Sequence, residues 1–128
     1  MTTLQTSHMI PAPEGRVIWA VGPPGIIQRS EDGGQTWKAQ KSGVTSDLRA
    51  GSAPSQKICW VVGSAGVVLR TTDGGKNWVK LTSPSPVAGD LGGVQATDAL
   101  HATVTDAANK TSFETSDGGM TWTQVAGQ

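Results

Sequence analysis

The chain has 128 residues, the length of one ordinary domain, with 36% hydrophobic residues, seventeen Gly, five Trp, one Phe and no Tyr, so it turns often and relies on Trp for packing. Ten basic and ten acidic side chains cancel, which leaves no long-range field to draw in nucleic acid or an anionic membrane surface. No stretch approaches the roughly 18 apolar residues of a membrane-spanning helix.

Residues 1–14 lack the charged start and apolar middle of a signal peptide, and the chain is expected to be soluble as it stands. Ser7 to Ala12 reads weakly as an extended run. The segment Trp19-Ala20-Val21-Gly22-Pro23-Pro24-Gly25-Ile26-Ile27 reads as two short strands around a turn, and Ser30-Glu31-Asp32-Gly33-Gly34-Gln35-Thr36-Trp37 follows as a second turn. After a loop at 43–47 the pattern starts again. Runs at about 48–53, 57–62, 67–71 and 77–81 are rich in Val, Ile, Leu, Thr and Trp, and Gly, Pro, Ser and Asp-Gly-Gly separate them.

This second copy holds Trp60-Val61-Val62-Gly63-Ser64-Ala65-Gly66-Val67-Val68 and Thr71-Thr72-Asp73-Gly74-Gly75-Lys76-Asn77-Trp78, each 41 residues after its first-copy counterpart. Residues 82–89 form a Pro-containing connection. Leu91 to Ala96 opens a third copy, whose turn, Thr115-Ser116-Asp117-Gly118-Gly119-Met120-Thr121-Trp122, stands 44 residues beyond the second. Here His101-Ala102-Thr103-Val104 occupies the place of Trp-x-x-Gly, with His101 expected in place of the strand Trp, and 105–110 form a longer loop. A fixed period with a degenerate last copy is the signature of a repeat array. Each repeat should be a four-stranded antiparallel meander, with repeats at about 1–43, 44–84 and 85–128. No helix-period pattern is read anywhere, and outside 94–117 Gly or Pro interrupts every window long enough for a helix.

The recurrent turn explains itself without a ligand. Asp accepts hydrogen bonds from backbone N–H groups just ahead of it, Gly supplies positive φ, Ser or Thr two residues earlier bonds across the turn, and Trp covers the hairpin. A calcium loop would need oxygen ligands at alternate positions and a closing Glu, but Gly34, Gly75 and Gly119 stand where the next ligands should be. Phosphate-cradling Gly loops lead into helices, and these turns lead into strands. No cofactor is expected. Cys59, the one cysteine, reads as a small buried hydrophobe in Ile58-Cys59-Trp60-Val61.

The pattern Ser/Thr-x-Asp-x-Gly-x-x-Trp, carried by Ser30, Asp32, Gly34 and Trp37, by Thr71, Asp73, Gly75 and Trp78, and by Thr115, Asp117, Gly119 and Trp122, resembles the Asp-box, or bacterial neuraminidase repeat, of sialidases and other β-propellers. From Trp60 to Trp78 the second copy is similar to the photosystem II assembly and stability factor type of repeat, which also occurs in propeller-like extracytoplasmic domains appended to bacterial membrane-anchored regulators. The resemblance spans roughly 15–126. It implies three propeller blades and a non-catalytic interaction or scaffolding role, as an assembly or sensing domain of a larger bacterial protein.

Sialidase chemistry, as the resemblance presents it, needs a Tyr nucleophile and three convergent Arg, and this chain has no Tyr. His8 and His101 lack a metal-ligand pattern. A His101 pair with Asp98 or Asp106, and a carboxylate set among Asp47, Asp90 and Asp98, are weak alternatives. Binding is expected at the mouth of a channel lined by innermost strands, at Arg49, Ser52, Gln95 and the loops at 43–47 and 84–90. Arg29 and Arg70, just before the Asp-boxes, are expected to be exposed, and Trp19 and Trp60 are either blade packing or platforms for a sugar in a lectin-like module. Propellers close with about four to eight blades, so three should expose an apolar flank at each end, and a homodimer closing six blades is the expected cover. The other expected partner is a protein or peptide, with a glycan as the alternative.

Overall fold

The computed structural model describes residues 8–13, 16–22, 25–45, 47–81, 90–106 and 111–125. Twelve strands form three four-stranded antiparallel sheets, each a meander in chain order. The first blade holds β1 (His8–Pro11), β2 (Ile18–Gly22), β3 (Ile26–Ser30) and β4 (Lys38–Gln40). The second holds β5 (Leu48–Ser52), β6 (Cys59–Gly63), β7 (Val68–Thr71) and β8 (Val79–Lys80). The third holds β9 (Leu91–Ala96), β10 (Ala102–Asp106), β11 (Ser112–Thr115) and β12 (Thr123–Val125). A 3-10 turn, Ser64–Gly66, joins β6 to β7.

In the second blade the second strand is the most apolar because both of its faces are covered; Cys59, Trp60, Val61 and Val62 are each 0% exposed. Opposite residues in an antiparallel pair share a face, so the register sorts each sheet into two. One face of the first blade carries Ile10, Trp19, Val21, Ile27 and Arg29. It packs on Cys59, Val61 and Leu69 of the second blade in one apolar cluster. The second blade repeats the arrangement: Trp60, Val62 and Val68 pack on Leu91, Ala102 and Val104 of the third. The core is therefore two flat joints between three sheets. Cys59 lies in the first joint, and burial pushes its thiol up well above the ordinary range.

Register also corrects two expectations. Trp19 pairs with Arg29, Trp60 with Arg70, and Thr103 with Glu114, so Thr103 takes the strand-Trp place in the third blade. His101 lies one residue before β10, where Asp98 Oδ1 accepts from the backbone N–H groups of Leu100 and His101 at 2.8 Å and contacts His101 Nδ1 at 2.9 Å. The third blade's outer face, moreover, is not apolar: Gln95, Thr103, Thr105, Ser112, Glu114 and Thr123 stand where the second blade has Ser52, Trp60, Val62, Val68, Arg70 and Val79. A face this polar can stand in water without a covering sheet. Among the described residues the first blade presents the apolar flank, with Met9 56% and Ile26 41% exposed.

Candidate functional site

The three Asp-boxes have one geometry. In the first, Ser30 Oγ donates to Asp32 Oδ1 at 2.8 Å and accepts from the N–H of Gly34 at 2.8 Å. Asp32 Oδ1 also accepts from the N–H groups of Gln35 and Thr36 at 3.0 and 2.9 Å, and its Oδ2 takes the Thr36 hydroxyl at 2.6 Å. Thr71, Asp73 and Asn77 repeat this set in the second blade, and Thr115, Asp117 and Thr121 repeat it in the third. Each carboxylate thus spends its lone pairs inside its own turn. Among the described residues no three His, Cys, Asp or Glu side chains come together as a metal would require.

The same bonds set the acidity. The side-chain donors at Thr36, Asn77 and Thr121, then the backbone donors of the turn, hold Asp32, Asp73 and Asp117 down to about 2, from an ordinary 3.8. A lowered folded pKa gives stability that is complete above the unfolded value and is lost as pH falls through the folded one. The thermal midpoint should therefore hold down to about pH 4 and fall steeply between about pH 4 and 2. A midpoint unchanged over that interval would show that the turns do not couple to folding.

The structure places the other candidates at the joints. Arg29, with its side chain 14% exposed, lies over the Trp19 ring at 5.2 Å, ion-pairs with Glu31 and donates to the Gln56 carbonyl of the second blade at 3.2 Å. Arg70 lies over Trp60 at 5.6 Å and donates to the carbonyls of Ala99 and Gly118 of the third blade, both at 2.9 Å. The sequence reading expects these arginines to be exposed. They are instead half-buried struts, because a guanidinium stacked on Trp reaches the carbonyls of the next blade's turn.

Trp19 and Trp60 are each 0% exposed, so neither ring offers a face to a sugar. Trp60 Nε1 donates to the Asp98 carbonyl at 3.0 Å, and its ring meets Trp122 edge-on at 6.3 Å. Ser52 Oγ accepts from the N–H of Ala96 at 3.0 Å, which ties the second blade to the third. Arg49 is exposed and lies 3.6 Å from Asp90, whose other oxygen accepts from the N–H of Ala65. Residues 46 and 82–89, parts of two loops expected to bind, lie outside the described residues.

Of the candidate binding residues, Arg29 borders a small hollow with Glu31 and Lys38, and Gln95 opens into a cleft. With Thr103, Glu114, Thr115, Ser116 and Thr123 it lines a hollow of about 230 Å3 on the third blade's outer face. The cleft exists because Thr103 and Glu114 stand where the other blades have Trp and Arg. Sequence reading missed it because the third copy had been aligned on His101.

Three four-stranded sheets, each closed by an Asp-box and joined to the next by a Trp–Arg pair, define a segment of an Asp-box β-propeller. The profile of the photosynthesis system II assembly factor YCF48 family matches residues 13–127, and the chain belongs to that family. Among solved structures, a YCF48 bound to a D1 peptide superposes with a TM-score of 0.79 at 22% identity, over 93% of this chain and 39% of that one. YCF48 from Cyanidioschyzon merolae superposes with a TM-score of 0.78 at 25% identity, over 92% and 39% respectively. The chain thus spans about two fifths of the length of the structures it matches. No curated protein gave a match.

Proposed function

We propose that the chain is a non-catalytic protein-interaction module, an assembly or sensing unit of a larger bacterial extracytoplasmic protein, and that it receives a polypeptide on the outer face of its third blade. The observation that carries this reading is the cleft at Gln95, Thr103 and Glu114. Its side chains supply hydrogen-bond donors and acceptors that no other described residue covers. Family membership supports a role in assembly, and a relative of the same fold with a peptide bound supports the kind of partner.

The catalytic and glycan readings lose their parts. Arg29 and Arg70 are spent in different joints and Arg49 faces Asp90, so no triad of arginines forms around a carboxylate, and the chain has no Tyr. A lectin would need the Trp faces that the joints enclose. Closure of six blades by two copies is the competing use of the third blade's face, and it would press Glu114 and the threonines against Met9, Ile18 and Ile26 of a partner. Burying polar groups against apolar ones leaves them unsatisfied.

A displayed peptide library panned on the chain tests the proposal. Selected peptides should lose tenfold or more in affinity, about 1.4 kcal/mol, against Gln95→Ala/Glu114→Ala, while Arg49→Ala leaves them unchanged. An empty selection, or binding indifferent to the Gln95 and Glu114 substitutions, refutes it.

A further inference from the structure

The two internal joints share one construction and differ at their rims. The N–H of Gly74 donates to the Lys57 carbonyl at 2.9 Å, and the N–H of Gly118 donates to the Leu100 carbonyl at 3.0 Å, so Lys57 and Leu100 hold the same place beside successive Asp-boxes. Lys76 and Met120 each follow the second glycine of those turns. From the preceding blade, Lys38 pairs across the sheet with Arg29, and Val79 with Arg70. Two residues further on, Gln40 donates to the Gly74 carbonyl, and Leu81 packs on Gly119.

The first rim is therefore Lys38, Gln40, Lys57 and Lys76. The second is Val79, Leu81, Leu100 and Met120, with all four places changed from polar to apolar. Val79 is 50%, Leu100 51% and Met120 72% exposed. Leu100 lies 3.5 Å from a Cβ placed on Gly118, and Leu81 lies closer still to one on Gly119, so the apolar side chains gather at one turn. Folding does not require them, because lysines serve in the same places at the first joint. An apolar cluster left in water marks a contact surface, and Met adapts to irregular partners.

We propose that the rim of the second joint docks an acidic segment of a partner protein, whose apolar side chains cover Leu100 and Met120 while its carboxylates reach Lys57 and Lys76. The lysines stand one blade away, a sheet spacing of about 10 Å, which about two turns of helix span. Among the described residues no ion pair engages either of them. An anionic lipid surface fits less well. Asp73, Asp98 and Asp117 stand at the same turns and would face its whole charge, whereas a segment can set its carboxylates on the lysines alone.

The test is a displayed peptide library selected on the natural chain after depletion on Leu100→Gln/Met120→Gln. Retained peptides should combine Leu, Ile or Phe with Asp or Glu. Their dissociation constants should rise at least tenfold against Leu100→Gln/Met120→Gln and at least threefold against Lys57→Gln/Lys76→Gln, the second loss vanishing in high salt. Gln95→Ala/Glu114→Ala should leave them unchanged, which separates this rim from the cleft. Should the first double variant fail to fold, Met120→Gln alone serves for the depletion, since Gln35 holds that place in the first blade. The proposal is overturned if no peptide survives depletion, or if the survivors carry no acidic residues or ignore the lysine substitutions. A loss against Gln95→Ala/Glu114→Ala assigns them to the cleft and overturns it too. So does binding of phosphatidylserine vesicles, or pairing of two copies in light scattering, that Leu100→Gln/Met120→Gln abolishes.

Discussion

Trp60→Ala should destabilise the chain by about 3–5 kcal/mol, the range for removing a large aromatic from a closed core, and should be the most damaging single truncation in the second blade. Trp60 is 0% exposed, donates to the Asp98 carbonyl, meets Trp122 edge-on and carries the Arg70 guanidinium over its ring. Alanine removes all four contacts and leaves Arg70 without the surface that aims it at Ala99 and Gly118. Typical domains hold only about 5–15 kcal/mol in all, so urea unfolding should show a large loss of midpoint or a chain already unfolded. The contrasting measurement is Trp37→Ala. Trp37 is only half-buried and donates to the Gly34 carbonyl of its own turn, so its loss should cost markedly less. Equal losses at the two sites would mean that blade joints contribute nothing beyond burial within a blade.

The second large effect comes from the second glycine of the Asp-box. Gly34, Gly75 and Gly119 have φ of +99°, +90° and +89°, which costs an L side chain about 1–2 kcal/mol at any of the three. At Gly75 a methyl group would also collide with the Gln40 amide, and at Gly119 with Leu81. Overpacking adds about 1–3 kcal/mol. Gly75→Ala and Gly119→Ala should therefore each exceed Gly34→Ala by about 1–3 kcal/mol in denaturant unfolding. Three equal values would show that the previous blade does not press on the turn.

That comparison also shows where sequence reading reached its limit. The glycines were legible as turn formers, since Asp-Gly-Gly between β-rich runs admits little else, and three such turns gave three blades. Their second duty, leaving room for the preceding sheet, concerns contacts between residues some 35 apart, such as Gln40 with Gly75, and no local pattern announces it. The same holds for Arg29 and Arg70. A cation at the end of a strand reads as surface until its neighbours include a Trp ring and a row of carbonyls.

The third copy failed for another reason. Its Asp-box lies 44 residues beyond the second, but Thr103 follows Trp60 by 43, so alignment on the turn and alignment on the strand disagree. His101 stands two residues short of Thr103, a slip that keeps the face but shifts every cross-strand partner. Pairing His101 with Trp60 therefore hid the meeting of Thr103 with Glu114 and Gln95, and with it the cleft. Only the pairing of Thr103 with Glu114 and Gln95 resolves it.

The outermost strands β4, β8 and β12 have three, two and three residues. An edge so short, flanked by Lys38 and Lys80, gives a foreign backbone few unpaired amides to align with and a positive charge to bury. Lateral strand addition, the commonest way for a β-protein to capture an extended peptide or to aggregate, is thereby discouraged along the whole rim. In the proposed mode a polypeptide is read by side chains on the flat of a sheet, and its recognition should depend on which residues it carries and not on its readiness to be extended.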